Sequence, residues 1–133
     1  MPVTKTVKVL VAEAKQQTNS ISPADAHDRQ QAGDAILIDI RDIRELQRDG
    51  RIEGAFHAPR GMLEFWIDPT SPYYKDVFGS GKNFVFYCQS GWRSALASKA
   101  AQDMGLPNVS HIGEGYRGWK DSGAPTEEPP ARK

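Results

Sequence analysis

The sequence predicts an α/β domain built around a parallel sheet. Three observations predict it. Strand-like and helix-like segments alternate along the chain, as βαβ units require. Two segments, "AILIDI" (35–40) and "NFVFYC" (83–88), are apolar almost throughout, as strands buried on both faces are. The helical stretches between them close on Gly, the residue that ends helices most readily. At 133 residues the chain is long enough for one compact domain and too short for two ordinary ones. The expected division is an N-terminal helix and extension (1–19), the domain (20–125) and a disordered tail (126–133).

The elements follow in order. Residues 7–17 read as a short amphipathic helix, with Val7, Leu10, Val11 and Ala14 on one face. In "SPADAHDRQQAG", Ser22 caps a second helix, Pro23 takes its first position and Gly33 stops it. "AILIDI" is the first buried strand, and a polar helical segment near 42–49 runs from it to Gly50. "AFHAP" (55–59) is a brief strand ended by Pro59. The stretch 60–81 is irregular: "GMLEFW" makes one or two helical turns, and "DPTSPYY" turns repeatedly around its prolines. "NFVFYC" is the next buried strand, followed by an alanine-rich helix over 94–105. "NVSHI" (108–112) is another strand, and "GYRGWKDSG" (115–123) is a closing helix. The tail "TEEPPARK" is of low complexity and reads as frayed.

Composition narrows the function classes. Seventeen basic and seventeen acidic residues cancel, so no overall field recruits nucleic acid or an anionic membrane. No apolar segment approaches the roughly 20 residues of a membrane-spanning helix. "VLVA" near the N-terminus is short and runs straight into charges, a weak signal-peptide pattern. A single cysteine excludes an internal disulfide, so a reducing, cytoplasmic location is expected.

That cysteine carries the functional argument. In "YCQSGWRSALASKA" (87–100), Cys88 ends a strand and is followed by a short turn and a helix. The free N–H groups of such a turn and the helix start leave partial positive charge around sulfur, which favours thiolate over thiol. Arg93 adds a permanent cation with a planar fork suited to an oxyanion. Gly91 lets the backbone turn tightly. Ser90 and Ser94 add hydroxyl donors, and Ser94 is also placed to cap the helix. A lone cysteine is more often a small buried hydrophobe. Here it falls at the carboxyl end of a central strand, where open α/β sheets place their ligands. Cysteine phosphatases have one residue more between Cys and Arg. The smaller ring of amides between Cys88 and Arg93 fits one terminal sulfur atom better than a phosphate, which favours sulfur transfer through a cysteine persulfide.

The residues resemble the rhodanese (sulfurtransferase) family. "LIDIRDIREL" resembles its Asp-x-Arg signature at a strand end, and "GRIEGAFHAP" its Gly-His-Ile-x-Gly-Ala-x-His-x-Pro segment. "YCQSGWRSALA" is similar to the active-site loop of single-domain members, and "GEGYRGWKDSG" to the closing Gly-Gly-x-x-x-Trp element. In order, they cover about residues 20–125. The resemblance implies a rhodanese-like three-layer fold, a central parallel sheet of about five strands with helices on both faces, and Cys88 as the nucleophile that takes a sulfane sulfur. Residues Gln89, Ser90, Gly91, Trp92, Arg93 and Ser94 would form the loop that cradles the persulfide, with Arg93 orienting an anionic donor or holding the loop. Asp39 and Arg41 would stiffen it. Arg51 stands where the family often has His, and "GEG" (113–115) replaces an adjacent glycine pair.

The reaction so implied is ping-pong: a small anionic donor such as thiosulfate charges the thiolate, and cyanide or a thiol, including a protein thiol, accepts the sulfur. No metal or organic cofactor is implied, nor a nucleic acid or membrane partner. A persulfide relay or a non-catalytic interaction module would use the same fold. His27, His57 and His111 lack metal-ligand spacing and read as a surface helix residue and two strand-end residues with local partners. "GSGK" (79–82) is a turn, since it precedes a strand. Phe65, Trp66, Tyr73 and Tyr74 are expected to pack on the core or as a lid, with Met62 and Leu63 beneath. Trp92 is expected at the rim. Asp42, Arg44, Glu45 and Arg48 are expected to form a solvated helix face with weak ion pairs.

Overall fold

The computed structural model describes residues 3–128. Its five-stranded sheet is built from β1 (Ser20–Ile21), β2 (Ala35–Asp39), β4 (Phe56–His57), β5 (Asn83–Tyr87) and β6 (Val109–Ile112). All neighbours are parallel, in the order β1-β6-β5-β2-β4. A separate antiparallel ribbon pairs β3 (Arg51–Ile52) with β7 (Thr126–Glu127). The helices are α1 (Val7–Gln17), α2 (Pro23–Gln31), α3 (Ile43–Asp49), α4 (Leu63–Ile67), α5 (Trp92–Asp103) and α6 (Gly115–Asp121).

Strand periodicity divides the core into two layers, because successive side chains point to opposite faces. On one face Ile38, Ile40, Phe84, Phe86 and Cys88 pack with Leu63 and Ile67 of α4 and Ala97 and Ala101 of α5. On the other, Leu37, Val85, Tyr87 and Ile112 pack with Ala26 of α2 and Tyr116 and Trp119 of α6. The parallel-sheet α/β architecture expected from the alternating pattern is therefore present, in the three layers that the resemblance implies. The fifth strand is β1, whose two residues carry no pattern of their own.

Several expectations change in detail. On α1 only Val11 and Ala14 are buried, against Ala95 and Leu96 of α5, while Val7 and Leu10 stay exposed. One helix covers part of another here, so the contact stripe is narrower than a core-facing stripe. Thr126 and Glu127, placed in the frayed tail by composition, form β7. Arg51 donates to the Glu127 carboxylate at 2.8 Å, and the Glu127 carboxylate also accepts from the Gly54 N–H at 3.0 Å. Residues 129–133 of the expected tail lie outside the described residues. In the irregular stretch, Leu63 is buried and Trp66, Tyr74 and Phe78 pack on the first core layer, but Phe65 and Tyr73 are exposed and meet only edge to edge. "GSGK" is a turn, with Gly81 at φ +79° and Lys82 reaching the Gly33 carbonyl. His27 sits edge-on to Trp119 rather than alone on a surface.

Candidate active site

β5 carries Cys88 to the carboxyl edge of the sheet and turns its side chain toward the α5 layer, in phase with Phe84 and Phe86. The residue is 1% exposed. The sulfur therefore lies beneath its loop and not at an open mouth. Gly91 is left-handed, at φ +102°, and donates its N–H to Cys88 Sγ at 3.1 Å. That conformation moves the helix start forward: α5 begins at Trp92 with Gly91 as its N-cap. Ser94, expected as the cap, lies inside the first turn, and its hydroxyl donates to the Gly91 carbonyl at 3.3 Å. Twelve residues of α5 point their positive dipole end at the sulfur. Trp92 is 47% exposed and Ser90 is exposed, so both stand on the rim; Gln89 is half-buried.

Arg93 is held from a distant element. Its Nη1 and Nη2 donate to Glu45 Oε1 and Oε2 at 2.7 and 3.0 Å, a two-pronged fork. The hydrogen bonds from Arg93 hold the Glu45 carboxyl below its ordinary range. Glu45 raises the Arg93 guanidinium in turn, and a negative Cys88 sulfur adds to that. Glu45 is not on a solvated face: its side chain is 18% exposed. The same carboxylate accepts from the Asp42 N–H at 3.2 Å, closing a capping box at the start of α3. Asp42 with Arg44, and Arg48 with Asp49, are exposed pairs as expected.

Asp39 and Arg41, from the end of β2, brace the loop from the α6 side. Arg41 Nε donates to Asp39 Oδ1 at 3.1 Å and Nη2 to Oδ2 at 2.8 Å. Nη2 also reaches the Gly50 carbonyl at 2.8 Å, and Nη1 reaches Gln89 Oε1 at 3.2 Å. The pair is fully buried, with Arg41 Cζ 4.3 Å from the Tyr116 ring centroid. Burial is the largest single influence and opposes the Arg41 charge, but the hydrogen bonds and the charge of Asp39, with smaller help from Tyr87 and Glu45, together raise its pKa. Such a pair fixes geometry more than it adds stability. His57 donates Nε2–H to the Arg41 carbonyl at 2.7 Å, a local partner behind the site.

The "GEG" segment completes the loop. A Cβ on Gly113 would run into the Ser20 side chain, and one on Gly91 into the Gly113 carbonyl oxygen. Gly115 is left-handed at φ +68°, and a Cβ there would strike the Gln89 carbonyl. Beyond it the first N–H groups of α6 reach the loop: Tyr116 donates to the Cys88 carbonyl at 2.7 Å and Arg117 to that of Gln89 at 3.3 Å. The structure thus brings together Cys88 to Ser94, Asp39 and Arg41. Sequence reasoning missed Glu45 as a partner of the loop. Its signal was the Asp-x-x-Glu capping box at 42–45, which marks α3 but not where its carboxylate points.

Comparison with known proteins places the chain in a family. Residues 22–122 match the model of the rhodanese-like domain. The chain is 32% identical over 123 residues to a chloroplastic Arabidopsis thaliana protein named thiosulfate sulfurtransferase 16, covering 88% of this chain and 99% of that one. It spans 63% of the length of a mitochondrial Schizosaccharomyces pombe relative, at 30% identity over 91 residues. A Rhodopseudomonas palustris structure of unknown function, called a possible tyrosine phosphatase, superposes with TM-score 0.91 at 50% identity, covering 96% of this chain and 98% of that one.

Proposed function

The chain belongs to the rhodanese-like domain family, and on that premise we propose that it is a sulfurtransferase whose Cys88 carries a sulfane sulfur from thiosulfate, or a related donor, to a thiol or cyanide. One observation carries the reading: the thiol at the strand end sits in a closed loop in which Gly91 N–H meets Sγ at 3.1 Å and Arg93 is clamped by Glu45. In the first step the thiolate attacks the outer sulfur of thiosulfate; a sulfur–sulfur bond forms, the donor's own breaks, and sulfite leaves with the electron pair. In the second, the acceptor attacks the terminal sulfur of the Cys88 persulfide and the thiolate departs. Loop N–H groups and the α5 dipole stabilise the negative charge left on sulfur after each step. Arg93 draws the anionic donor in, with its guanidinium held in place by the Glu45 carboxylate. Asp39, Arg41 and the α6 N–H groups hold the loop rigid. A cytoplasmic location and a protein thiol as acceptor belong to the same proposal.

The phosphatase label on the R. palustris neighbour is not carried over. Four residues separate Cys88 from Arg93, one fewer than in the phosphatase pattern, and absence of aryl phosphate hydrolysis is the expected result.

The deciding experiment is intact mass before and after thiosulfate. We expect a gain of about 32 Da, one sulfur atom, that cyanide removes and that is absent in Cys88→Ser. A gain with polysulfide or mercaptopyruvate but not thiosulfate changes the donor only. No gain with any donor overturns the reading in favour of an interaction module.

A further inference from the structure

His111 takes no part in the sulfur chemistry above, yet it stands directly behind the loop. It lies on β6 and is 1% exposed; Ser94 beside it is 0% exposed. His111 Nδ1 is 3.1 Å from Ser94 Oγ, and Ser94 Oγ is 3.3 Å from the Gly91 carbonyl oxygen. Gly91 is also the residue whose N–H meets the sulfur at 3.1 Å.

Counting protons orders this chain. A hydroxyl has one proton, and a carbonyl oxygen can only accept. When Ser94 donates to Gly91, Nδ1 must itself carry a proton and donate to Oγ. In the reverse arrangement Ser94 donates to Nδ1, its bond to Gly91 is lost, and the ring proton moves to Nε2. Nε2 is buried with no hydrogen-bond partner among the described residues, where an unpaired N–H is costly. The geometry therefore selects a one-way chain, from His111 Nδ1–H to Ser94 O–H to Gly91 C=O, in which each bond strengthens the next. Burial, with a smaller contribution from the Lys15 charge, lowers the His111 pKa to about 4, so the ring is neutral near neutral pH. The ring shares the Val109 face of β6 and lines a cavity with Lys15, Ser20, Ile21, Ser22, Gly113 and Glu114.

We propose that His111 is a positioning residue for Cys88: through Ser94 it fixes the Gly91 carbonyl, and by fixing that residue it aims the Gly91 N–H at the sulfur. The inference rests on Cys88 being the reacting nucleophile. Gly91 is then restrained on both sides, with Ala95 N–H giving its carbonyl a second bond at 3.2 Å. Releasing one restraint lets the left-handed residue swing and its N–H leave the sulfur.

The test is the rate of Cys88 alkylation by iodoacetamide, followed with circular dichroism of each variant. At about pH 7, His111→Leu and Ser94→Ala should slow alkylation roughly three- to ten-fold; above about pH 10, where thiols are ionised, their rates should converge on the wild type. His111→Asn, whose side-chain amide N–H can stand in for Nδ1–H, should recover to within about two-fold, as should Ser94→Thr, which keeps the hydroxyl. Val109→Ala, in the same strand and core, should lower the melting temperature and leave the alkylation rate unchanged. A folded His111→Leu that alkylates like the wild type overturns the proposal; so does equal slowing by Val109→Ala. If His111→Leu does not fold, Ser94→Ala against Ser94→Thr makes the same decision. Alkylation needs no sulfur donor. Failure of persulfide formation therefore removes the sulfurtransferase reading alone, and an unmoved alkylation rate beside normal persulfide formation removes this inference alone.

Discussion

At Gly91 three demands fall on one residue. Its backbone is left-handed, its N–H faces the sulfur, and a Cβ would collide with the Gly113 carbonyl oxygen. Gly91→Ala has to distort the loop or push β6 away. A left-handed alanine alone costs on the order of 1 kcal/mol, and the backbone collision adds to it. We expect Gly91→Ala to lose about 2 kcal/mol or more in urea unfolding and to form no persulfide in the mass experiment. Stability within about 0.5 kcal/mol of wild type would show that the loop has room that the contact with Gly113 denies.

Between elements, the fork from α3 to α5 is the contact with the clearest chemical consequence. Glu45→Gln keeps the shape and removes the charge, loosening the fork that holds Arg93. Persulfide formation from thiosulfate should slow about ten-fold, the scale of one strong charge-assisted interaction, with little change in melting temperature. An unchanged rate would mean that α5 alone places Arg93. β2, β5 and α5 were legible in the sequence because apolar runs and alanine-rich turns carry their own period. β1, β3 and β7 have two residues each, too few to show any alternation; partners across the sheet create them. Cys88, Arg93, Asp39 and Arg41 were legible as chemistry in a recognisable order. Glu45 and His111 were not, because each meets the loop across a long sequence separation: Glu45 is 48 residues from Arg93, and His111 17 from Ser94. Ser94 misled for a local reason. Serine is a common cap, but the left-handed Gly91 takes the cap three residues earlier.

For the molecule as a whole, the buried imidazole links folding to pH. Burial first and Lys15 second lower the His111 pKa to about 4, against about 6.5 in an unfolded chain. The unfolded chain binds a proton that the folded one refuses. The stability is therefore complete above about pH 6.5 and declines as pH falls toward 4, by on the order of 2–3 kcal/mol. Melting curves across that range should show the decline, and His111→Asn should flatten it. A decline of the same size in His111→Asn would assign it to other groups. Glu45, held low by Arg93, adds its own loss only at more acid pH, when its carboxyl takes a proton and releases the fork. Among the described residues no helix is long and apolar enough to cross a membrane.

The sheet ends on both sides in a strand of two residues, β1 and β4. A rim so short offers a stray chain almost no ladder to extend, and β4 is closed off at once by Pro59. The long apolar strands that would seed fibres, β2 and β5, are central and paired on both sides. Folding thus keeps the two most aggregation-prone segments away from any open edge of the sheet.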